Sequence, residues 1–103
     1  MALTRSFKET VQARARRDPA FRNALLSEGI EQLLSGDVDT GKAILRDYIN
    51  ATVGFGALAA ATGAQPKSLM RMFGKDGNPT AKNLMAVIGH LQRASGVSLQ
   101  VRV

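Results

Sequence analysis

Apolar residues recur along this chain at intervals of three and four, the period that gathers side chains on one face of an α-helix. Six such segments can be bounded. The first carries Phe7, Val11 and Ala15 on one face. Ser6 and Glu9 stand at capping-box spacing, which predicts a start just after Ser6. Asp18-Pro19 reads as an N-cap followed by the first helical residue, where the missing proline N–H is not needed. Phe21, Leu25, Leu33 and Leu34, with Ile30 beside them, are the expected buried stripe of the second helix, and Gly36 its stop. The third helix starts at Asp37 or Asp39, buries Ile44, Leu45, Tyr48, Ile49 and Val53, and ends at Gly54. Tyr48 is expected at the edge of the core, with its hydroxyl reaching water.

Two short helices follow, predicted over 56–62 and 66–73, separated by Thr62-Gly63-Ala64-Gln65. A polar loop from Gly74 to Pro79 leads into the last helix, for which Thr80 is the expected N-cap, Leu84, Val87, Ile88 and Leu91 the inner face, and Gly96 the stop. The period then changes. Val97, Leu99, Val101 and Val103 alternate with Ser98, Gln100 and Arg102. That two-residue repeat predicts a short C-terminal strand. Nothing else in the chain reads as a strand, so the backbone groups of this one lack an obvious partner. The same strand of a second copy, paired antiparallel about a two-fold axis, would supply it, and a homodimer is expected on that ground; the alternatives are that the segment lies on its own helices or receives a strand from a partner protein at its edge.

The stretch from Phe55 to Phe73 is the most informative. Two short helices that cross closely need a small residue at the contact, and Ala59 stands mid-way along the first. The turn needs a residue that accepts positive φ, and Gly63 provides it. Leu58, Ala64, Leu69 and Met72 are apolar where the core side requires it, and Pro66 suits the first turn of the second helix. This is the spacing of a helix-turn-helix. With Leu69, Met72 and Phe73 inward, Lys67, Ser68, Met70 and Arg71 point partly outward. Gln65 sits at the helix N-terminus, the end that enters a major groove. Arg71 has the fork to pair with guanine and Gln65 the amide to pair with adenine. Lys67 and Lys75 are expected to contact phosphate.

Charge agrees with that assignment. The chain has 103 residues, with 14 Lys plus Arg against 8 Asp plus Glu, a net charge of +6. A basic surface favours a polyanionic partner, because each neutralised phosphate releases a counterion. The length suits one domain, and 45 % hydrophobic residues suffice for a core. Arg14, Arg16 and Arg17, with Lys8, form a charged face on the first helix that is expected to be solvated. With no cysteine, thiolate metal sites, disulfides and a thiol nucleophile are excluded. His90 is the only histidine and has no acidic partner at helical spacing, while Glu28 and Glu31 are neighbours without an evident pocket. No catalytic role, metal or cofactor is expected. No apolar run has the length of a membrane span. No apolar stretch follows Arg5 and Lys8, so neither a secretory leader nor a membrane partner is expected, and the protein is placed in the cytoplasm.

Leu58-Ala59, Gly63, Leu69 and Arg71, then Gly77-Asn78-Pro79-Thr80 and Leu84, resemble the Xre-type domain of addiction-module antidote proteins, the HigA-type antitoxins of toxin–antitoxin pairs. The resemblance is best over 52–95. It implies an all-α, lambda-repressor-like helix-turn-helix bundle in which residues 1–54 add N-terminal helices, 55–95 form the DNA-binding region and 96–103 the C-terminal strand, all within one domain. It also implies a homodimer that binds double-stranded DNA, represses its own operon and sequesters a RelE-like ribonuclease toxin. Phe55 and Pro66 stand where that family commonly has polar residues, one of them on phosphate. Their presence supports an alternative: a helical protein-interaction module without DNA reading.

Overall fold

The computed structural model describes residues 5–103, with side chains from Thr10 onward. Six helices follow one another: α1 (Arg5–Arg17), α2 (Pro19–Leu34), α3 (Val38–Ala51), α4 (Phe55–Thr62), α5 (Pro66–Met72) and α6 (Ala81–Ser95). α1, α2 and α3 pack on one another, and α4 packs on both α5 and α6. A single hydrophobic cluster joins the two groups. Leu26, Leu45, Tyr48 and Ile49 from α2 and α3 meet Phe55, Leu58, Leu69, Phe73, Val87 and Leu91 from the later half. None of the described helices is long and apolar enough to cross a membrane.

The helix starts follow the capping chemistry. The Asp18 carboxylate accepts the Phe21 N–H at 3.1 Å, with Pro19 opening α2. Asp37, not Asp39, caps α3 and accepts the Thr40 N–H at 3.2 Å. The Thr80 hydroxyl accepts the Asn83 N–H at 3.2 Å and caps α6. Each such bond satisfies an otherwise orphan donor and contributes about 1 kcal/mol. The first helix departs from this pattern. Ser6 lies inside α1, which already runs from Arg5, so it is not the N-cap. Val11 and Ala15 do turn inward, whereas the Phe7 and Lys8 side chains lie outside the described residues. Arg14 is held over the Phe21 ring, 4.4 Å from its centroid, and Arg16 and Arg17 are exposed.

The α2 stripe also differs from the expected one. Leu26 and Gly29 are buried, with Leu25, Ile30 and Leu33 packed against the core as expected, while Leu34 is 65 % exposed. The inward face runs through 25, 26, 29, 30 and 33, and Leu34 lies about 100° around the helix from Leu33. Gly29 has no side chain, so the hydrophobic pattern understates this face. It is needed there. A Cβ on Gly29 would sit 2.9 Å from Leu45 Cδ2, and one on Gly41 would sit 2.7 Å from Leu33 Cδ2 and 3.0 Å from the Gly29 carbonyl oxygen. The two glycines bring the α2 and α3 backbones close together. Along α3, Leu45, Tyr48 and Ile49 are buried as the period requires, but the helix ends at Ala51, before Gly54, whose N–H returns to the Ile49 carbonyl at 2.8 Å, and Val53 packs on the core from beyond the helix. Tyr48 is 2 % exposed, packed in the core and also lining a surface cleft with Arg22, Asn23 and Ser95.

Residues 97–103 form no strand, and no strand occurs among the described residues. α6 ends at Gly96 with φ 72°, and the chain folds back on the helix it has just left. The Leu99 N–H donates to Gln92 Oε1 at 2.8 Å, and the Leu99 side chain packs against the core. Val97 and Leu99 are half-buried and Ser98 and Gln100 exposed, so the alternation is kept without a ladder. A ladder needs a second extended segment, and the described chain offers none. Val101 and Val103 are exposed.

The glycine contacts yield a paired expectation. Gly41→Ala should lower stability by roughly 1–3 kcal/mol through overpacking. Gly56→Ala, inside α4 with nothing within 4 Å of the added carbon, should raise it by about 0.5–1 kcal/mol. Urea unfolding of the two variants beside the parent checks both signs.

Candidate nucleic-acid interface

The α4–turn–α5 unit is built from its inner face outward. Ala59 is 1 % exposed in the middle of α4, small enough for the next helix to approach. Gly63 adopts φ 74°, a left-handed conformation that costs other residues steric strain. Its N–H and that of Ala64 both return to the Ala59 carbonyl, and the Thr62 hydroxyl donates to the Leu58 carbonyl at 2.8 Å. These bonds satisfy the carbonyl end of α4 within one turn. Pro66 then opens α5, and Leu69, Met72 and Phe73 turn inward. Phe55, the first residue of α4, meets Phe73, the residue just past α5, with ring centroids 6.1 Å apart and planes tilted by 54°. That tilted contact is a favoured aromatic geometry, and it closes the open end of the helix pair.

The outer face of α5 is solvent-exposed at Gln65, Lys67, Ser68, Met70 and Arg71. Lys67 and Arg71 are one helical turn apart and so lie side by side. Gln65 occupies the N-cap position in an extended conformation, and its side chain makes no capping bond. Among the described residues, no ion pair joins Lys67, Arg71 or Lys75 to a carboxylate. The charge is also unevenly distributed. From Phe55 onward six basic residues (Lys67, Arg71, Lys75, Lys82, Arg93 and Arg102) face a single acidic one, Asp76. Lys75 does not share the α5 surface. It is exposed in the loop beyond the helix, beside a cleft of about 290 Å³ that it shares with Asp39 and Arg46.

What holds α5 in place is a residue that the hydrophobic pattern does not mark. Lys42 on α3 is 3 % exposed, and its ammonium donates to the carbonyls of Gly74 at 3.0 Å and Gly77 at 2.6 Å. The Asp39 carboxylate stands 3.8 Å away. One turn along α3, Arg46 Nη1 reaches the Phe73 carbonyl at 3.5 Å. Both cations therefore meet the carbonyl end of α5 and its loop, where a helix dipole is negative. The loop doubles back tightly. A Cβ on Gly77 would collide with the carbonyl oxygens of Arg71 and Met72. Gly77 thus allows the loop to cover the end of α5 before Thr80 starts α6.

The chemically suggestive residues elsewhere are not gathered into a site. His90 is half-buried on α6, and no group of three or more His, Asp or Glu side chains with metal-ligand spacing occurs among the described residues. Glu28 and Glu31 are exposed, and Glu28 accepts a hydrogen bond from Gln32 at 2.8 Å. The chain matches no family model, no curated protein and no solved structure.

The buried ammonium makes the placement of α5 testable. Lys42→Met keeps much of the side-chain volume but removes both donors, leaving two carbonyls short of partners. It should lower stability by about 2 kcal/mol. It should also speed amide exchange and proteolysis selectively within the loop after Phe73, measured by hydrogen-exchange mass spectrometry.

Proposed function

We propose that this chain binds duplex DNA, with α4 and α5 acting as a helix-turn-helix of the lambda-repressor-like, Xre type and α5 entering the major groove. The observation that carries this proposal is the two-sidedness of α5. Its inner face is anchored by Leu69, Met72 and Phe73, while Gln65, Lys67, Ser68 and Arg71 are exposed and free of carboxylate partners. A short helix presented in that way can offer Arg71 to guanine and Gln65 to adenine, with Lys67 and Ser68 at the backbone or base edges. Lys75 adds a phosphate contact from the loop, independent of sequence. The net charge of +6 supplies the attraction that brings the two together.

The resemblance to addiction-module antidote proteins extends the proposal to a cytoplasmic transcriptional repressor of its own operon. On that reading the chain is the antitoxin of a pair whose other member is a RelE-like toxin, and it works as a homodimer. Two half-sites one DNA turn apart, roughly 34 Å, would match a two-fold pair of recognition helices. Val101 and Val103 are the proposed dimer contacts, with Val97 and Leu99 holding the tail on its own helices. Val101 and Val103 are exposed in the single chain, which leaves them available to a second copy.

One observation favours a second function, a protein-interaction module. Phe55 is 8 % exposed and packed on Phe73, so this position cannot make a phosphate contact, and Pro66 offers no N–H donor. A mobility-shift assay with DNA from upstream of the chain's own gene separates the two. A retarded, salt-sensitive complex supports the repressor, and its absence down to low salt supports the module.

Arg71→Ala should weaken binding to a specific site by roughly 1–3 kcal/mol and relax base preference at one position. Lys75→Ala should weaken binding to every sequence alike and reduce the salt slope by about one. Fluorescence anisotropy at several salt concentrations measures both. Light scattering at tens of micromolar should give the mass of a dimer for the full chain, and a lower mass once residues 97–103 are deleted. A full chain of monomer mass refutes the dimer, and a truncated chain that stays dimeric moves the contact elsewhere.

A further inference from the structure

We infer that Met70 is a specificity-determining residue that contacts the 5-methyl group of a thymine, so that the preferred DNA site contains a thymine at a fixed place beside the position read by Arg71. This inference rests on the DNA-binding function proposed above. α5 carries two strips on its exposed surface, each made of residues four apart and therefore stacked along the helix. Lys67 and Arg71 form a basic strip. Pro66 and Met70 form an apolar one immediately beside it, and Met70 is 53 % exposed. Met70 is not required by the core. Leu69, Met72 and Phe73 already fill the inner face of α5, and Met70 lies outside the hydrophobic cluster.

An unbranched, polarizable side chain beside two cations fits a partner that is anionic on its outside and apolar at one point within. Duplex DNA has one such group in its major groove, the thymine methyl; the other three bases present only donors and acceptors there. Methionine is suited to this contact, because its flexible thioether adapts to an irregular apolar surface. Pro66, one turn earlier, has no N–H to leave unpaired and lines the approach with a rigid apolar ring.

Deoxyuridine differs from thymidine by that methyl alone and pairs identically, which allows a direct test. The full-length protein is used to select binding duplexes from a random-sequence pool, and each thymine of the selected site is replaced in turn by deoxyuridine. At one or two positions the parent protein should lose affinity by roughly three- to tenfold, the scale of one buried methyl group. Met70→Ala should bind the original site more weakly by a similar factor and lose its sensitivity to the same replacement. Met70→Leu should retain the sensitivity, which separates an apolar contact from a folding defect. Circular dichroism confirms that both variants are folded. If a duplex is selected but lacks thymine, tolerates every replacement in the parent, or stays equally sensitive in Met70→Ala, the thymine contact is refuted while DNA binding stands. If no duplex is selected at all, the DNA-binding function fails and the thymine contact with it.

Discussion

A buried ammonium group is costly unless its donors are satisfied, and the Lys42 side chain meets that requirement with the Gly74 and Gly77 carbonyls, 32 and 35 residues away in sequence. The course of the loop that follows α5 depends on this contact. α5 has only seven residues, too few to be stable as an isolated helix. Its position is therefore imposed from outside. The Phe55–Phe73 contact holds one side, Leu69 plugs into the common core, and the Lys42 and Arg46 donors hold the carbonyl end. A hydrophobic residue at 42 could fill the same space, but it could not choose where the loop carbonyls go. Hydrogen bonds are directional and apolar contacts are not, so the polar tie sets the course of the loop while the core supplies most of the stability.

Fixing one side of α5 frees the other. Because the inner face is fully engaged, the side chains from Gln65 to Arg71 that point outward have no structural task within the fold. They are exposed, close together and of mixed chemistry: an amide, two cations, a hydroxyl and a thioether. The acidic residues are concentrated elsewhere. Asp18, Glu28, Glu31, Asp37, Asp39 and Asp47 all belong to α2, α3 and the caps that start them. The later half of the chain, from Phe55 onward, therefore has a single carboxylate, Asp76, among its six cations.

Much of the architecture was legible because it depends on neighbours only. Asp18, Asp37 and Thr80 each cap a helix by accepting the N–H three residues on, and that chemistry is written in four consecutive positions. Gly63 marks the turn for a similarly local reason. Ala59, Leu69 and Phe73 were readable as inward residues, since the helical period between fixed ends leaves little choice. The exposed Gln65, Lys67, Ser68 and Arg71 follow as the complement of that face. Met70 was seen to point outward as well, but an exposed methionine has no chemistry of its own until the cations around it are in place.

The rest was decided by segments far apart in the chain. Sequence alone determined six helices, the caps at Asp18 and Thr80, the stops at Gly36 and Gly96, the break at Gly63 and the exposed polar residues of α5, because each follows from contacts within one or two turns. Tertiary structure decided that Leu26 and Gly29, not Leu34, line the inner face of α2, because the close approach of α2 and α3 selects the small residues Gly29 and Gly41. It decided that a lysine is buried beside a loop it is not adjacent to in sequence. It also decided the course of residues 97–103. Their alternation is real, but a strand is a relation between two segments, and in this chain the extended tail meets Gln92 and the helices instead of another strand.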